Sequence, residues 1–173
     1  EMYASDITRT FPANGKFSDE QLQIYNIVFE AQKASVDAVS KGNGVMDPQT
    51  ISEKVITEGL IDLGIIKGNL EEEHEKGSFK DFYMHKIGHW IGMDVHDVGD
   101  YMHEGEFIKF DEGMITTIEP GIYISSTSDV DDKWKGIGIR IEDDVLVTKD
   151  GNKNLTDTVP TDPAEIESLM QES

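Results

Sequence analysis

Four of the five histidines in this chain lie within one short stretch, at His85, His89, His96 and His103. The spacing of four between His85 and His89 places both imidazoles on one face of a helix, but the glycines at 88 and 92 fit a strand or an irregular segment as well. Neutral imidazole binds divalent metals and also serves as a general acid or base. Taken alone, the pair is more simply interpreted as two partly buried histidines with hydrogen-bond partners.

Acidic residues at strand positions make a metal site the better hypothesis. Glu119 ends an apolar run and precedes Pro120, which favours an extended backbone. Glu142 lies in an isoleucine-rich run, and Asp6 lies in a β-compatible stretch near the beginning of the chain. A buried carboxylate is costly unless a cation compensates its charge. Since the chain has 35 acidic residues, the argument rests on strand position and not on abundance.

The composition excludes several classes of function. The 173 residues include 15 Lys+Arg against 35 Asp+Glu, a formal net charge of −20, which disfavours nucleic acid and anionic membrane surfaces as partners and favours divalent cations. Because cysteine is absent, a metal must be held by His, Asp and Glu. No apolar run approaches the roughly 20 residues that cross a bilayer, and no signal peptide is recognisable. We therefore expect a cytoplasmic protein with no membrane partner.

The first third of the chain has helical periodicity. Ser18 and Gln21 form a capping-box pattern, which predicts a helix that begins there, and apolar residues at three- and four-residue steps continue it towards Gly42. Pro48 at a first helical position predicts a second helix that ends at Gly64.

Two further stretches complete the helical part of the prediction. The charge run 71–75 is interpreted as a solvated surface face. A short last helix is predicted from Asp162, with three residues facing inward. These are Ile166, Leu169 and Met170.

The second half of the chain is predicted to form β-sheet. Short β-type runs, several with alternating apolar residues, predict strands. They cover residues 114–119, 122–124, 137–142 and 145–147. Arg140 and Glu142 should share one strand face, opposite the isoleucines. Helices first and strands later indicate the α+β class.

Four segments of the chain form an ordered set of motifs: Asp6 to Pro12, His85 to Gly99, Ile118 to Gly121 and Gly136 to Asp144. The set resembles the bacterial aminopeptidase P (Xaa-Pro aminopeptidase) branch of the pita-bread metallopeptidases, and the likeness covers essentially the whole chain. The resemblance implies a pita-bread fold that is incomplete here and lacks its first half. Residues 1–173 are then expected to be the C-terminal part of one catalytic domain.

The resemblance also implies a cofactor and an activity. Enzymes of this family carry two divalent metal ions, commonly manganese, and remove an N-terminal residue that is followed by proline. Peptides with proline at the second position are therefore the expected partners. By the same resemblance Asp6 and Glu142 bridge the two metals, whereas His89 and Glu119 bind one of them. Glu119 is expected to shuttle a proton as well.

Further residues take catalytic roles by resemblance. His85 and His96 are expected to steady the peptide and the tetrahedral intermediate, with Arg140 as a nearby positive group. Trp90 and Tyr101 are candidates for lining the pocket, although packing in the core explains both equally well.

The sequence departs from the family pattern in two respects. A further metal-binding Asp of the family belongs to a strand upstream of Asp6, so we expect an incomplete metal site that binds metal weakly and a chain that is inactive alone. Lys86 stands where a glycine commonly follows the first histidine of the motif, which puts a cation near the pocket. An apolar face left by the missing half predicts a homo-oligomer or pairing with that half.

Three alternatives account for some of the same residues. Prolidase shares the His-Asp-Val-Gly and Glu-Pro-Gly elements and is the nearest. Methionine aminopeptidases fit less well, because a Glu normally follows their later histidine and Asp97 is found here. A non-catalytic pita-bread module that binds peptides or proteins without metals has no physical need for clustered carboxylates.

Overall fold

The first helix begins where its capping residues predict. In this computed structural model, which describes residues 2–171, helix α1 spans Asp19–Ala38. The Ser18 hydroxyl accepts a hydrogen bond from the backbone N–H of Gln21 at 3.2 Å, and the Gln21 side chain accepts one from the Ser18 N–H at 3.0 Å. This reciprocal pair satisfies two N–H groups that the helix itself leaves free.

Helix α2 packs closely against α1. It spans Asp47–Asp62 with a proline in its first turn, as predicted. A Cβ added at Gly59 would lie 2.6 Å from Cγ1 of Ile27, so the two helices approach each other as closely as they do because this position has no side chain. The pair forms the helical layer over the sheets.

The charge run at 71–75 differs from its prediction. It forms helix α3, Leu70–Lys76, and Glu73 is buried. The Glu73 carboxylate accepts hydrogen bonds from Lys76 Nζ at 2.7 Å and from the Ser78 hydroxyl at 2.5 Å, which lower its pKa. The interpretation as a wholly solvated face is therefore wrong at Glu73, because local donors compensate its burial.

Strands β3 to β6 follow the predicted runs, whereas β1, β2 and β7 were not predicted. All sheet pairings among the described residues are antiparallel, in the orders β1-β2, β3-β6-β7 and β4-β5. The strands are β1 Met102–His103, β2 Glu106–Phe107, β3 Ile115–Ile118, β4 Gly121–Tyr123, β5 Gly138–Arg140, β6 Asp143–Thr148 and β7 Gly151–Asn154. With helices preceding most of the sheet, the α+β class is confirmed.

Strands β3–β4 and β5–β6 form one long hairpin with a gap in its ladder. Ile118 pairs with Asp143 in the β3–β6 part, and the β4–β5 part continues the same register. That register places Glu119 opposite Glu142, in the gap between the two paired parts. The two acids therefore face each other across the strands.

Two extended segments border this gap. The 87–91 segment runs beside β3, where the Thr117 N–H donates to the His89 carbonyl at 2.9 Å and the Glu119 N–H donates to the Ile87 carbonyl at 2.6 Å. The β-compatible stretch that contains Asp6 forms one isolated bridge, between Thr8 and Glu142. Side chains of both segments, His89 and Asp6, therefore lie next to the gap in the hairpin.

The last helix closes one of two apolar cores. Helix α4 spans Pro163–Gln171. Ile166 is buried and Met170 packs against the core, but Leu169 is 49% exposed, so its predicted inward orientation is wrong. The second core contains Trp90, Phe110 and Val145. None of the described helices has the length and hydropathy that crossing a membrane requires.

Candidate metal centre

The structure brings together the four residues expected to bind metal, Asp6, His89, Glu119 and Glu142. His89 Nε2 lies 3.5 Å from Asp6 Oδ2 and 3.7 Å from Glu119 Oε1. Potential ligand atoms of His89, Glu119 and Glu142 lie within 4.8 Å of one another. Residues from four separate stretches of the chain therefore converge on one point.

The hairpin gap and the 87–91 segment position these side chains. Glu119 and Glu142 lie in cross-strand register on the hairpin, and His89 is fixed by hydrogen bonds of its backbone to β3. Gly88 allows this close pairing, since a Cβ there would lie 1.9 Å from the Thr117 carbonyl oxygen. The geometry around His89 thus depends on a residue without a side chain.

His89 presents the correct nitrogen for a ligand. Its Nδ1 lies 3.0 Å from the Trp90 carbonyl oxygen, which only accepts hydrogen bonds, so we assign the proton to Nδ1. The lone pair is then on Nε2, the atom that faces Asp6 and Glu119. A hydrogen bond of this kind fixes the tautomer and the ring orientation of metal-binding histidines.

The carboxylates of the centre carry more negative charge than their neighbours neutralise. Burial, together with the nearby charge of Glu142, raises the pKa of Glu119 to about 7. Burial, and the charge of Asp6, also raise the pKa of Glu142. Arg140 Nε is 3.9 Å from Glu142 Oε2, too far for a strong hydrogen bond. Clustered oxygen donors and one imidazole suit a divalent cation such as Mn²⁺ or Zn²⁺.

Thr8, which the sequence analysis did not identify as a site residue, forms a hydrogen bond with Glu142. The Thr8 hydroxyl donates to Glu142 Oε2 at 2.5 Å and accepts from Arg140 Nε at 3.1 Å. Arg140 and Glu142 do share one side of the strand, as predicted, and Thr8 links them. Its place within the Asp6 to Pro12 motif was the only sequence signal for this contact.

His85 and Arg140 meet at a second residue that the sequence did not identify, Tyr123. The Nδ1 of His85 donates to the Lys86 carbonyl at 2.8 Å, so its Nε2 accepts from the Tyr123 hydroxyl at 2.8 Å. Arg140 Nη1 lies 3.5 Å from the same hydroxyl. Burial is the main cause that lowers the pKa of His85. This group of residues has a neutral imidazole beside a guanidinium.

The other two clustered histidines differ in position. The His96 ring lies 4.3 Å from the His89 ring, nearly perpendicular to it, and a His96 nitrogen lies within 4.8 Å of ligand atoms of Asp6 and His89. His96 is exposed, whereas His103 lies on the exposed hairpin β1–β2. His96 therefore borders the centre from its open side.

Trp90 and Tyr101 belong to the core. Their rings stack at 5.1 Å, Trp90 is 8% exposed, and the Tyr101 hydroxyl accepts a hydrogen bond from the backbone N–H of Trp90 at 3.0 Å. Lys86 Nζ lies 5.7 Å from the centre of the Tyr101 ring. The packing interpretation, left open in the sequence, accounts for both aromatic residues.

Comparisons with known proteins agree with the geometry. The sequence profile of metallopeptidase family M24 matches residues 1–149. A Xaa-Pro aminopeptidase of Haemophilus influenzae is 50% identical over 169 residues, which cover 98% of this chain and 39% of that protein. The structure of Pseudomonas aeruginosa aminopeptidase PepP has a TM-score of 0.97 at 50% identity, with 99% of this chain and 39% of that chain covered.

A third relative concerns the metal. Zinc-substituted Escherichia coli aminopeptidase P, solved in complex with product, has a TM-score of 0.94 at 43% identity and covers 98% of this chain and 38% of that chain. The chain thus spans about two-fifths of the length of the relatives it matches. The resemblance to aminopeptidase P and the pita-bread fold are confirmed for this part.

Proposed function

Because the chain belongs to metallopeptidase family M24, we propose that it carries most of the dinuclear metal centre of a Xaa-Pro aminopeptidase. The reaction is hydrolysis of the peptide bond between an N-terminal residue and a following proline. We further propose that residues 1–173 are part of a single catalytic domain, that the protein is cytoplasmic, and that exposed apolar side chains mediate association with another copy or a complementary segment. The most exposed of these are Val98, Met2 and Tyr3.

The observation that carries the proposal is the convergence of Asp6, His89, Glu119 and Glu142. Buried acids brought together without a matching cation are unfavourable in a purely structural role. Their cost is understandable if a divalent cation compensates it. A module that only binds peptides or proteins would gain nothing from this cluster.

Manganese is the proposed metal, held by these four residues. The chemistry that divalent cations would supply there is polarisation of the scissile carbonyl and activation of a bound water. Carboxylate oxygens with one imidazole are donors that manganese accepts well. Zinc substitution in the Escherichia coli relative agrees with a donor set that other divalent ions can also use.

The residues of this chain have separate tasks in the proposed reaction. Glu119 can hold and release a proton at its carboxylate, which lies beside His89 at the centre. The neutral His85 and the Tyr123 hydroxyl form a hydrogen-bonded pair that can orient the substrate. Arg140 adds positive charge beside them, and His96 can donate a hydrogen bond from the open side of the centre.

The proposal is tested on the whole protein that contains this chain. We expect Mn²⁺-dependent cleavage of a tripeptide with proline second, and no cleavage of the matched tripeptide with alanine second. Glu142→Gln should lower kcat/KM by more than about 100-fold, whereas Glu58→Gln, the same change at an exposed position of α2, should leave it unchanged. Full activity of Glu142→Gln would refute the assignment. Cleavage confined to Xaa-Pro dipeptides would indicate prolidase instead.

A further inference from the structure

Three consecutive acids of the hairpin are buried: Glu142, Asp143 and Asp144 are 2%, 1% and 4% exposed. Alternation along a strand turns Asp143 away from the side on which Glu142 meets the candidate metal centre. Asp143 instead forms an ion pair with Arg9, whose Nη2 lies 2.7 Å from Asp143 Oδ1. The side chains of this pair are 1% and 10% exposed, so it is nearly dry.

Arg9 uses all of its N–H groups. Nε donates to the Pro160 carbonyl at 3.0 Å, and Nη2 donates to the Val159 carbonyl at 2.9 Å as well as to Asp143. Nη1 donates to the backbone carbonyls of Thr8 at 3.0 Å and of Glu142 at 2.7 Å. One guanidinium thus binds the backbone carbonyls of Thr8 and Glu142, the two residues whose side chains are hydrogen-bonded to each other at the candidate metal centre.

Asp143 is in turn held from two sides. Gln32 on α1 donates to its Oδ2 at 2.5 Å, and the Thr156 hydroxyl donates to its Oδ1 at 2.6 Å. The carboxylate therefore has partners on both oxygens besides Arg9. A network that satisfies every charged group in this way is rigid, because each member has one favourable arrangement.

From these contacts we propose that Arg9 and Asp143 are positioning residues of the metal centre. They fix the Thr8 and Glu142 backbones relative to each other, and so keep the Thr8 hydroxyl on Glu142 Oε2. Neither residue is among the candidate metal ligands. This inference rests on the proposed function, since it assumes that Glu142 binds metal.

A lysine at position 9 should not reproduce the contacts of Arg9. A lysine ammonium could keep the ion pair with Asp143, but it is a point charge without the planar fork that reaches two carbonyls in one direction and a carboxylate in another. Arg9→Lys therefore separates charge from geometry. If Arg9 matters only for stability, Arg9→Lys should be close to the unsubstituted chain in metal binding.

The experiment measures Mn²⁺ binding by the whole protein that contains this chain. The signal of free Mn²⁺ in electron paramagnetic resonance is followed during titration, at Mn²⁺ concentrations high enough for a weak site. We expect Arg9→Lys and Asp143→Asn to raise the Kd about tenfold. Asp111→Asn removes one partner of an exposed pair of equal length, Lys41–Asp111 at 2.7 Å, and should leave the Kd within about twofold.

The outcomes separate the two proposals. If the unsubstituted whole protein binds no Mn²⁺, the metal centre is refuted and the positioning role with it. If it binds Mn²⁺ and both folded variants bind as tightly, only the positioning role is overturned. Circular dichroism checks folding. Should these variants not fold, Thr156→Val removes one hydrogen bond to Asp143, keeps the ion pair and should raise the Kd about threefold; an unchanged Kd would then overturn the inference.

Discussion

Replacing Glu119 by glutamine should stabilise the metal-free chain at alkaline pH. Glu119 is 18% exposed at its side chain, and its pKa is raised from 4.5 to about 7, first by burial and then by Glu142. A carboxyl with a raised pKa favours folding when protonated. Its contribution is complete below 4.5 and is lost as the pH rises through about 7. Glutamine is neutral throughout and avoids that loss.

The size of the effect follows from the two pKa values of Glu119. The loss is about 2 kcal/mol at about pH 6 and about 3 kcal/mol at about pH 8. For a chain of this size, about 3 kcal/mol corresponds to a rise in Tm of about 6–12 °C. Near pH 4 the variant and the unsubstituted chain should melt together.

Thermal denaturation in the presence of a chelator measures this difference across the pH range. Glu58→Gln is the control, since its side chain is exposed and should give no pH-dependent change. Added Mn²⁺ should raise the Tm of the unsubstituted chain more than that of Glu119→Gln, because the metal compensates the same charge. Equal pH profiles of Tm for the two chains without metal would refute the electrostatic reasoning.

Three further substitutions test the structure around the centre. Gly88→Ala should destabilise the chain by more than about 2 kcal/mol and weaken Mn²⁺ binding, since its Cβ would lie 1.9 Å from the Thr117 carbonyl oxygen. Urea unfolding measures the loss of stability, and Mn²⁺ titration measures the loss of affinity. Unaltered stability and affinity would contradict the close pairing of the 87–91 segment with β3. Ser18→Ala should cost about 1 kcal/mol in urea unfolding through loss of the helix cap, and no loss would mean that the box is not maintained in solution. Ile56→Ala, at a position with 0% exposure, should cost about 2–5 kcal/mol by the same assay, and a cost below about 1 kcal/mol would argue against that core.

Local signals account for what the sequence predicted of the fold. The Ser18–Gln21 box and Pro48 act within a few residues of themselves, so both helix starts follow from the sequence alone. Glu119 and Glu142 stand out because charged residues are unusual in apolar runs. The apolar runs themselves identify the strands, although they do not show which strand pairs with which other strand.

Apart from the metal ligands that the family resemblance brought together, contacts between distant residues could not be predicted. Thr8 and Glu142 are 134 positions apart, and no periodicity relates them. Glu73 belongs to a run of acids that is typical of a surface, and its burial depends on donors that only the folded chain brings near. Leu169 has the spacing of an inward residue, but α4 is covered by the core mainly at Ile166.

The uninterrupted register of the long hairpin has a consequence for protein engineering. Between β4 and β5 the chain makes an excursion that is closed at its base by the Ile124 N–H donating to the Ile137 carbonyl at 2.8 Å. Extra residues grafted into this excursion should leave the facing acids aligned, because the pairs below it fix the alignment. A single deletion at Ile141 would instead turn Glu142 to the opposite face of the sheet. The tip of the hairpin therefore tolerates variation in length, whereas the gap between its two paired parts does not.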